Sequence, residues 1–137
     1  FYHPHMMRKG KELFDILNPS ILIVGKNETD KETPPAFLEY LYRFSVPDNR
    51  RPLVPIANVS YETAEMAKLA LSYMLAAQIN AANELATAAM KVKADWEWIE
   101  RYMAMDERIG PHAYITPGVP GGHLPRDVDT IKRILTI

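Results

Sequence analysis

The sequence predicts a mainly helical fold: one long central helix, shorter helices packed with it, and a small α/β remnant ahead of it. Three observations carry this. Residues 60–92 hold no glycine, no proline and ten alanines among the 137 residues of the chain, a composition built largely from good helix formers. Two short apolar runs, Ile21–Gly25 and Leu53–Ala57, have strand length and alternate with helical patterns before that stretch. After it, two more amphipathic segments flank a loop rich in glycine and proline.

Taken in order, Phe1 opens with no cap or polar leader, so the chain reads as starting within a fold. His3–Gly10 reads as a strand end and a turn. Lys11–Leu17 is a short helix with Leu13, Phe14 and Leu17 on one side, broken by Asn18-Pro19-Ser20. The run Ile21–Gly25 suits a parallel strand buried on both faces. Lys26–Thr33 is polar and turn-like, and Pro34-Pro35 opens a helix in which Phe37, Leu38, Leu41 and Phe44 fall at helical spacing. Val46–Pro52 is a loop. Leu53–Ala57 is a second strand, where Pro55 argues for an edge position or an early end.

The stretch from Ser60 to about Val92 is next, with Ser60 as N-cap and Glu62 and Glu65 favourable in the early turns. At 1.5 Å per residue it is about 50 Å long, too long for one face of a domain this size. Met66, Leu69, Tyr73, Ala76, Ala77, Asn80, Asn83, Leu85, Ala88 and Val92 recur at helical spacing, with small residues interrupting the apolar stripe. Such a spine admits close packing, including against a second copy of itself; a long buried helix in a monomer is the plainer alternative. Asp95 caps a helix from Trp96 to about Met103, and Asp106–Ile109 adds a turn before Gly110. Pro111–Gly122 is a loop, and Pro125–Leu135 is a last helix with Val128, Ile131, Ile134 and Leu135 as its apolar set.

Composition narrows the function. Formal net charge is −1, which does not favour nucleic acid or a membrane surface as dominant partner. No apolar run approaches the ~18 residues of a membrane span. The chain contains no cysteine, which excludes a disulfide framework, a thiolate metal site and a cysteine nucleophile. Cytoplasmic residence is the default expectation. A metal site on His3, His5, His112 and His123 lacks supporting carboxylate or cysteine spacing, so none is expected.

Residues 106–127, Asp106-Glu107-Arg108-Ile109-Gly110 through Pro117-Gly118-Val119-Pro120-Gly121-Gly122 to Pro125-Arg126-Asp127, carry a resemblance. They resemble the signature of the UDP-glucose/GDP-mannose dehydrogenase family: an Asp-x-Arg-Ile-Gly turn, a Pro-Gly-x-Gly-x-Gly-Gly loop, a cysteine, then a basic residue and Asp. Pro4-His5-Met6-Met7-Arg8-Lys9-Gly10, followed by Asn18-Pro19 and Ile23-Val24-Gly25, is similar to the family's Asn-Pro-Glu-Phe-Leu-x-Glu-Gly turn and its sequel. Glu65–Ala70, followed by Asn83-Glu84, is similar to the start and middle of its long central helix.

The resemblance implies a central domain like the C-terminal domain of 6-phosphogluconate dehydrogenase. Residues 1–58 would be the trailing part of a Rossmann-type NAD-binding domain, and residues 59–137 a helical central and dimerisation domain. It implies a nucleotide-sugar substrate, NAD bound mainly by a domain outside these residues, a homodimer formed through the 60–92 helix, and a place in polysaccharide biosynthesis. Family chemistry oxidises a sugar C6 alcohol to a carboxylate through a cysteine thiohemiacetal and thioester. By position, the family's catalytic lysine falls on Lys68 and its aspartate on Asp127. Arg126 is the basic residue before that aspartate, and Arg108 is an arginine that reaches the neighbouring subunit's substrate. Tyr114, Gly121 and the Met6-Met7 backbone would line the substrate cleft.

The departures matter as much. Without cysteine the thioester route is closed to this chain. The segment after Gly122 reads as one residue short, with Leu124 at the nucleophile's place; His5 and Lys9 replace the glutamates of the first turn, and Ser72 replaces an asparagine one helical turn after the lysine. Two functions follow as expectations: an oxidoreductase without the thioester step, or a non-catalytic nucleotide-sugar-binding or dimerisation module. A free-standing helical adaptor is the third reading, and the apolar strand edges argue against it. Each residue also has a plainer role. Lys68 could be a solvated lysine, Asp127 could answer a helix dipole, and Arg108 could pair with Asp106 or Glu107.

Overall fold

A computed structural model shows the architecture and describes residues 1–30, 35–46, 49 and 54–137. The chain is mainly helical, with a long helix and a two-stranded parallel sheet. It divides into two compact units, Phe1–Lys68 and Leu69–Ile137.

The first unit contains α1 (Glu12–Leu17), β1 (Leu22–Lys26), α2 (Pro35–Ser45), β2 (Ile56–Ser60) and the start of α3 (Tyr61–Lys91). β1 and β2 pair in parallel from Leu22↔Ile56 to Lys26↔Ser60, which requires a crossover, and α2 lies within it. Leu22, Val24, Leu41, Val46 and Val54 form the buried core, with Phe37 and Ile56 packed against it. The apolar run at 21–25 therefore becomes a parallel strand, as its composition predicts. Ahead of it, Tyr2 forms an antiparallel bridge with Gly25.

The second strand starts later than expected, at Ile56 rather than Leu53, and runs to Ser60. Pro55 has no N–H to give a ladder; its carbonyl accepts from Leu22 N at 3.0 Å, and the strand begins after it. Residues 31–34, 47, 48, 50 and 51–53 lie outside the described residues, and with them Pro34, most of the expected 46–52 loop and Leu53. In α1, Leu13, Phe14 and Leu17 do share a side, yet it is exposed, at 71%, 59% and 40%.

α3 begins where Ser60 Oγ accepts from Thr63 N at 3.2 Å, the N-cap geometry expected of that serine. It ends with Lys93 at φ 56 and Ala94 N donating to Ala89 O at 2.9 Å, the six-to-one closure of a Schellman motif. Its buried side is not the expected stripe. Ala64, Ser72, Ile79, Ala82 and Ala89 are buried, whereas Met66, Tyr73, Ala77, Asn80, Leu85 and Ala88 are exposed. Hydrophobicity misleads on this helix because alanine is common on every face, so the large apolar residues stand out although they face solvent.

The second unit holds the rest of α3, α4 (Trp96–Met105) and α5 (Leu124–Ile134). Asp95 Oδ1 accepts from Trp98 N at 3.1 Å, capping α4, which continues past the expected Met103. Ile109 N and Gly110 N both donate to Asp106 O, at 3.0 and 2.8 Å, and Gly110 takes φ 77, so the turn before the loop forms as expected. α5 starts at Leu124, with Pro125 in its first turn. It buries Leu124 and Asp127, while Ile134 and Leu135 of its expected apolar set are 44% and 77% exposed.

Candidate functional site

The loop between Gly110 and Leu124 carries Tyr114 and Gly121, with Arg108 just ahead of it and Arg126 and Asp127 just after it, and it has little backbone structure of its own. Pro111, Pro117 and Pro120 have no N–H to donate. Side chains from the helices hold it instead. Gln78 Oε1 accepts from Tyr114 N at 3.0 Å. Asn83 Nδ2 donates to Gly118 O and its Oδ1 accepts from Gly118 N, both at 2.9 Å. Thr116 Oγ1 donates to Glu100 Oε1 at 2.5 Å. Gln78 and Asn83 sit on α3 and Glu100 on α4.

The sequence points to no contact of Gln78 or Glu100, and it puts Asn83 on the packing stripe of the central helix and in the Asn83-Glu84 pair of the resemblance, with no link to the loop. A signal existed for Asn83: asparagine is a poor helix former, and here it interrupts the interior of an alanine-rich helix where no cap is needed.

At the start of α5 the Asp127 carboxylate is buried, 4% exposed, beneath the Arg126 guanidinium, which is 73% exposed. Arg126 Nη2 and Nε donate to Asp127 Oδ1 at 3.1 and 3.2 Å. A buried carboxylate is tolerated when paired and hydrogen-bonded, so Asp127 holds Arg126 and Arg126 meets solvent. Asp127 also lies in the first turn of α5, where negative charge answers the helix dipole.

Leu124 is 5% exposed and belongs to the core, so it presents nothing to a substrate. The exposed side chain immediately before α5 is His123, whose ring stands 3.9 Å from where a Cβ on Gly121 would be. Tyr114 is 44% exposed. Arg108 binds Asp106 through Nε–Oδ1 at 2.9 Å and Nη2–Oδ2 at 2.6 Å, and this pairing lowers the Asp106 pKa and raises that of Arg108. The plainer role weighed for Arg108 is thus realised, with its guanidinium still largely in solvent.

In the first unit, Lys68 is half-buried on α3. His5 has its pKa lowered by partial burial, then by His3, and least by the Lys68 charge. His3 meets His5 edge-on with ring centroids 4.9 Å apart. His3 Nδ1 lies 2.7 Å from Ile23 O; a carbonyl only accepts, so the proton is on Nδ1. Met6 is half-buried and Met7 exposed in the same turn. Arg8, which follows them, is locked onto Asp15 by Nη2–Oδ1 and Nε–Oδ2 contacts of 2.5 and 3.1 Å.

A nicotinamide dinucleotide does not fit the described residues. β1 runs into Asn27-Glu28-Thr29-Asp30 rather than a glycine-rich phosphate turn opening a helix. Its Gly25 is closed over by Ala64 and Tyr61, with Ala64 Cβ 3.0 Å from where a Cβ would stand.

Comparison with known proteins agrees with this arrangement. Residues 62–136 match the UDP-glucose/GDP-mannose dehydrogenase family, central domain. The UDP-glucose 6-dehydrogenase of Pseudomonas aeruginosa is 31% identical over 133 residues, covering 96% of this chain and 28% of its own. An uncharacterised protein of Methanocaldococcus jannaschii is 32% identical over 120 residues, covering 88% of this chain and 13% of its own. Among solved structures, the UDP-glucose dehydrogenase of Pyrobaculum islandicum superposes with a TM-score of 0.77 at 27% identity, over 96% of this chain and 28% of that one. The chain thus spans less than a third of the length of these relatives. The family match covers more than half of the 137 residues, and the chain belongs to the UDP-glucose/GDP-mannose dehydrogenase family.

Proposed function

We propose that this chain is part of a nucleotide-sugar dehydrogenase-like oxidoreductase that works without the thioester step. Residues 1–58 would be the trailing part of a Rossmann-type NAD-binding domain and residues 59–137 its helical central and dimerisation domain. The observation that carries the reading is the family match over 62–136, which contains Lys68, half-buried on α3.

Roles follow residue by residue. In this reading Lys68 Nζ would take the proton of the sugar C6 hydroxyl, and NAD held outside the described residues would take the C6 hydride. Asp127 positions Arg126, and Arg126 offers its exposed guanidinium to the anionic part of the substrate. Arg108, oriented by Asp106, is available to the substrate of a neighbouring subunit. Tyr114, Gly121 and the Met6-Met7 backbone line the nucleotide-sugar cleft. NAD is the cofactor of this reading, seated outside the described residues. A second copy covers the exposed face of α3, where Met66, Met74 and Leu85 are 40%, 57% and 49% exposed. Among the described residues no helix is long and apolar enough to cross a membrane, and cytoplasmic residence goes with this reading.

The absence of cysteine favours a second reading, a binding or dimerisation module with no chemistry. Full-length protein incubated with NAD and either UDP-glucose or GDP-mannose separates the two. NADH formation that disappears in Lys68→Ala supports the enzyme. Calorimetric binding without turnover supports the module. Neither binding nor turnover with either sugar refutes both. Solution molecular weight of the same preparation tests the dimer, and a monomer at micromolar concentration refutes it.

A further inference from the structure

We propose that Asn83 is a positioning residue for the substrate loop: its side-chain amide sets the shape of Pro117–Gly122, a role that presupposes the nucleotide-sugar reading. Asn83 meets both polar atoms of one residue, donating to Gly118 O and accepting from Gly118 N at 2.9 Å each. Only an amide donates and accepts side by side in this way; aspartate cannot donate, and alanine does neither.

Gly118 is where the loop most needs such a restraint. It lies between Pro117 and Val119, the latter 94% exposed, and nothing lies within 4 Å of the place a Cβ would take. Packing therefore does not fix this residue. Glycine is the residue with most backbone freedom to lose, and the Asn83 amide removes that freedom from a segment whose prolines cannot make a ladder. Gln78 and Glu100 restrain Tyr114 and Thr116, upstream of the glycines, and Leu124 N ties Gly121 O at 2.9 Å downstream, so among the described residues Asn83 is the side chain that fixes the Gly118 stretch between them. A loop ordered before the ligand arrives binds more tightly than one that must be ordered by it.

Asn83→Ala is expected to fold, because alanine is the better helix former on α3. Asn83→Ala and Asn83→Asp in the full-length protein are compared with wild type by amide exchange at Gly118, by thermal melting and by UDP-glucose calorimetry. Gly118 exchange should speed up and UDP-glucose affinity should fall, each on the order of tenfold for two lost hydrogen bonds. Melting temperature should not fall in Asn83→Ala, and Asn83→Asp should lose affinity at least as far. A merely structural role would lower the melting temperature and leave affinity intact, which would overturn the assignment, as would unchanged Gly118 exchange. If wild type binds no UDP-glucose, the nucleotide-sugar reading fails, and the exchange data still decide whether the clamp exists.

Discussion

Gly25→Ala is the sharpest test of how the first unit is packed. Gly25 lies in β1, buried, paired in register with Val59 of β2 and bridged to Tyr2 through N–O contacts of 2.7 and 2.8 Å. Its backbone is thus held from both sides and cannot retreat. An added Cβ would stand 3.0 Å from Ala64 Cβ and 3.3 Å from both Tyr61 Cα and Tyr61 Cδ1, against about 3.5–4.0 Å for a relaxed carbon–carbon contact. None of these atoms is the free end of a flexible side chain, so α3 must move off the sheet. Overpacking of this kind costs about 1–3 kcal/mol, or roughly 2–12 °C in melting temperature at ~2–4 °C per kcal/mol. Circular dichroism melts of wild type, Gly25→Ala, Ala64→Gly and the double variant measure it. Ala64→Gly alone should cost up to ~1 kcal/mol through helix propensity. The double variant should be more stable than the sum of the two by about 1 kcal/mol, because the shortest contact is relieved while the one to Tyr61 Cα remains. Gly118→Ala, with nothing within 4 Å and no left-handed φ, is the control and should melt like wild type. A Gly25→Ala protein that melts within 1 °C of wild type on the same ~1 kcal/mol scale, or strictly additive effects in the cycle, would refute the close approach of α3 to β1.

Two titrations test the electrostatics of the turn before β1. The Arg8 guanidinium and its backbone N–H hold the Asp15 carboxyl down to about 2 from 3.8, so the stabilisation from this pair is full above pH 3.8 and is lost as pH falls through about 2. A carboxyl NMR titration should give a midpoint near 2 that rises towards 3.8 in Arg8→Ala, and an unchanged midpoint would refute the pairing. His5 titrates below 6.5 because of partial burial, His3 and then Lys68. The folded chain binds this proton less readily than the unfolded one, so stability is full above pH 6.5 and declines as pH drops below it. Lys68→Met should raise the His5 midpoint without restoring it to 6.5, since burial is the larger cause; no change in midpoint would place Lys68 away from His5.

How much was legible in the sequence depended on whether a local rule decided the matter. Ser60 and Asp95 act through the next turn of the chain, so their capping of α3 and α4 follows from sequence alone. The parallel strand at 22–26 follows from an unbroken apolar run. The second strand begins at Ile56 and not at Leu53: Pro55 signals an edge position or an early end from sequence, whereas a residue with no N–H stands more readily just ahead of the ladder. The buried side of α3 was misread because alanine satisfies any face: Ala64 is buried against Gly25 and Ala88 is exposed, and only the tertiary partner distinguishes them. In the loop, family resemblance pointed to Arg108, Tyr114, Gly121, Arg126 and Asp127, but not to the burial of Asp127 under Arg126, a contact between adjacent residues whose exposures differ widely. Asn83 and Gln78 lie 35 and 36 residues from the loop atoms they bind, a separation that no local pattern encodes.

The way the loop is held explains how a chain without cysteine can keep the shape of the site. Its restraints come from Gln78, Asn83 and Glu100 on α3 and α4, and from Leu124 anchored in the core at the head of α5. Leu124 stands at the nucleophile's place in the resemblance and serves here as a core anchor, while the polar restraints come from Gln78, Asn83 and Glu100. The side-chain hydrogen bonds that hold the loop thus come from α3 and α4 and not from the residues between Gly122 and Arg126. Had the loop been held through its reactive residue, loss of that residue would have freed the backbone and removed binding with it. Instead His123 takes the exposed place before the helix, and Arg126 remains displayed over a buried carboxylate. In the proposed reading, ligand binding is thus expected to respond to Asn83 and Arg126 and not to Leu124 beyond its effect on packing.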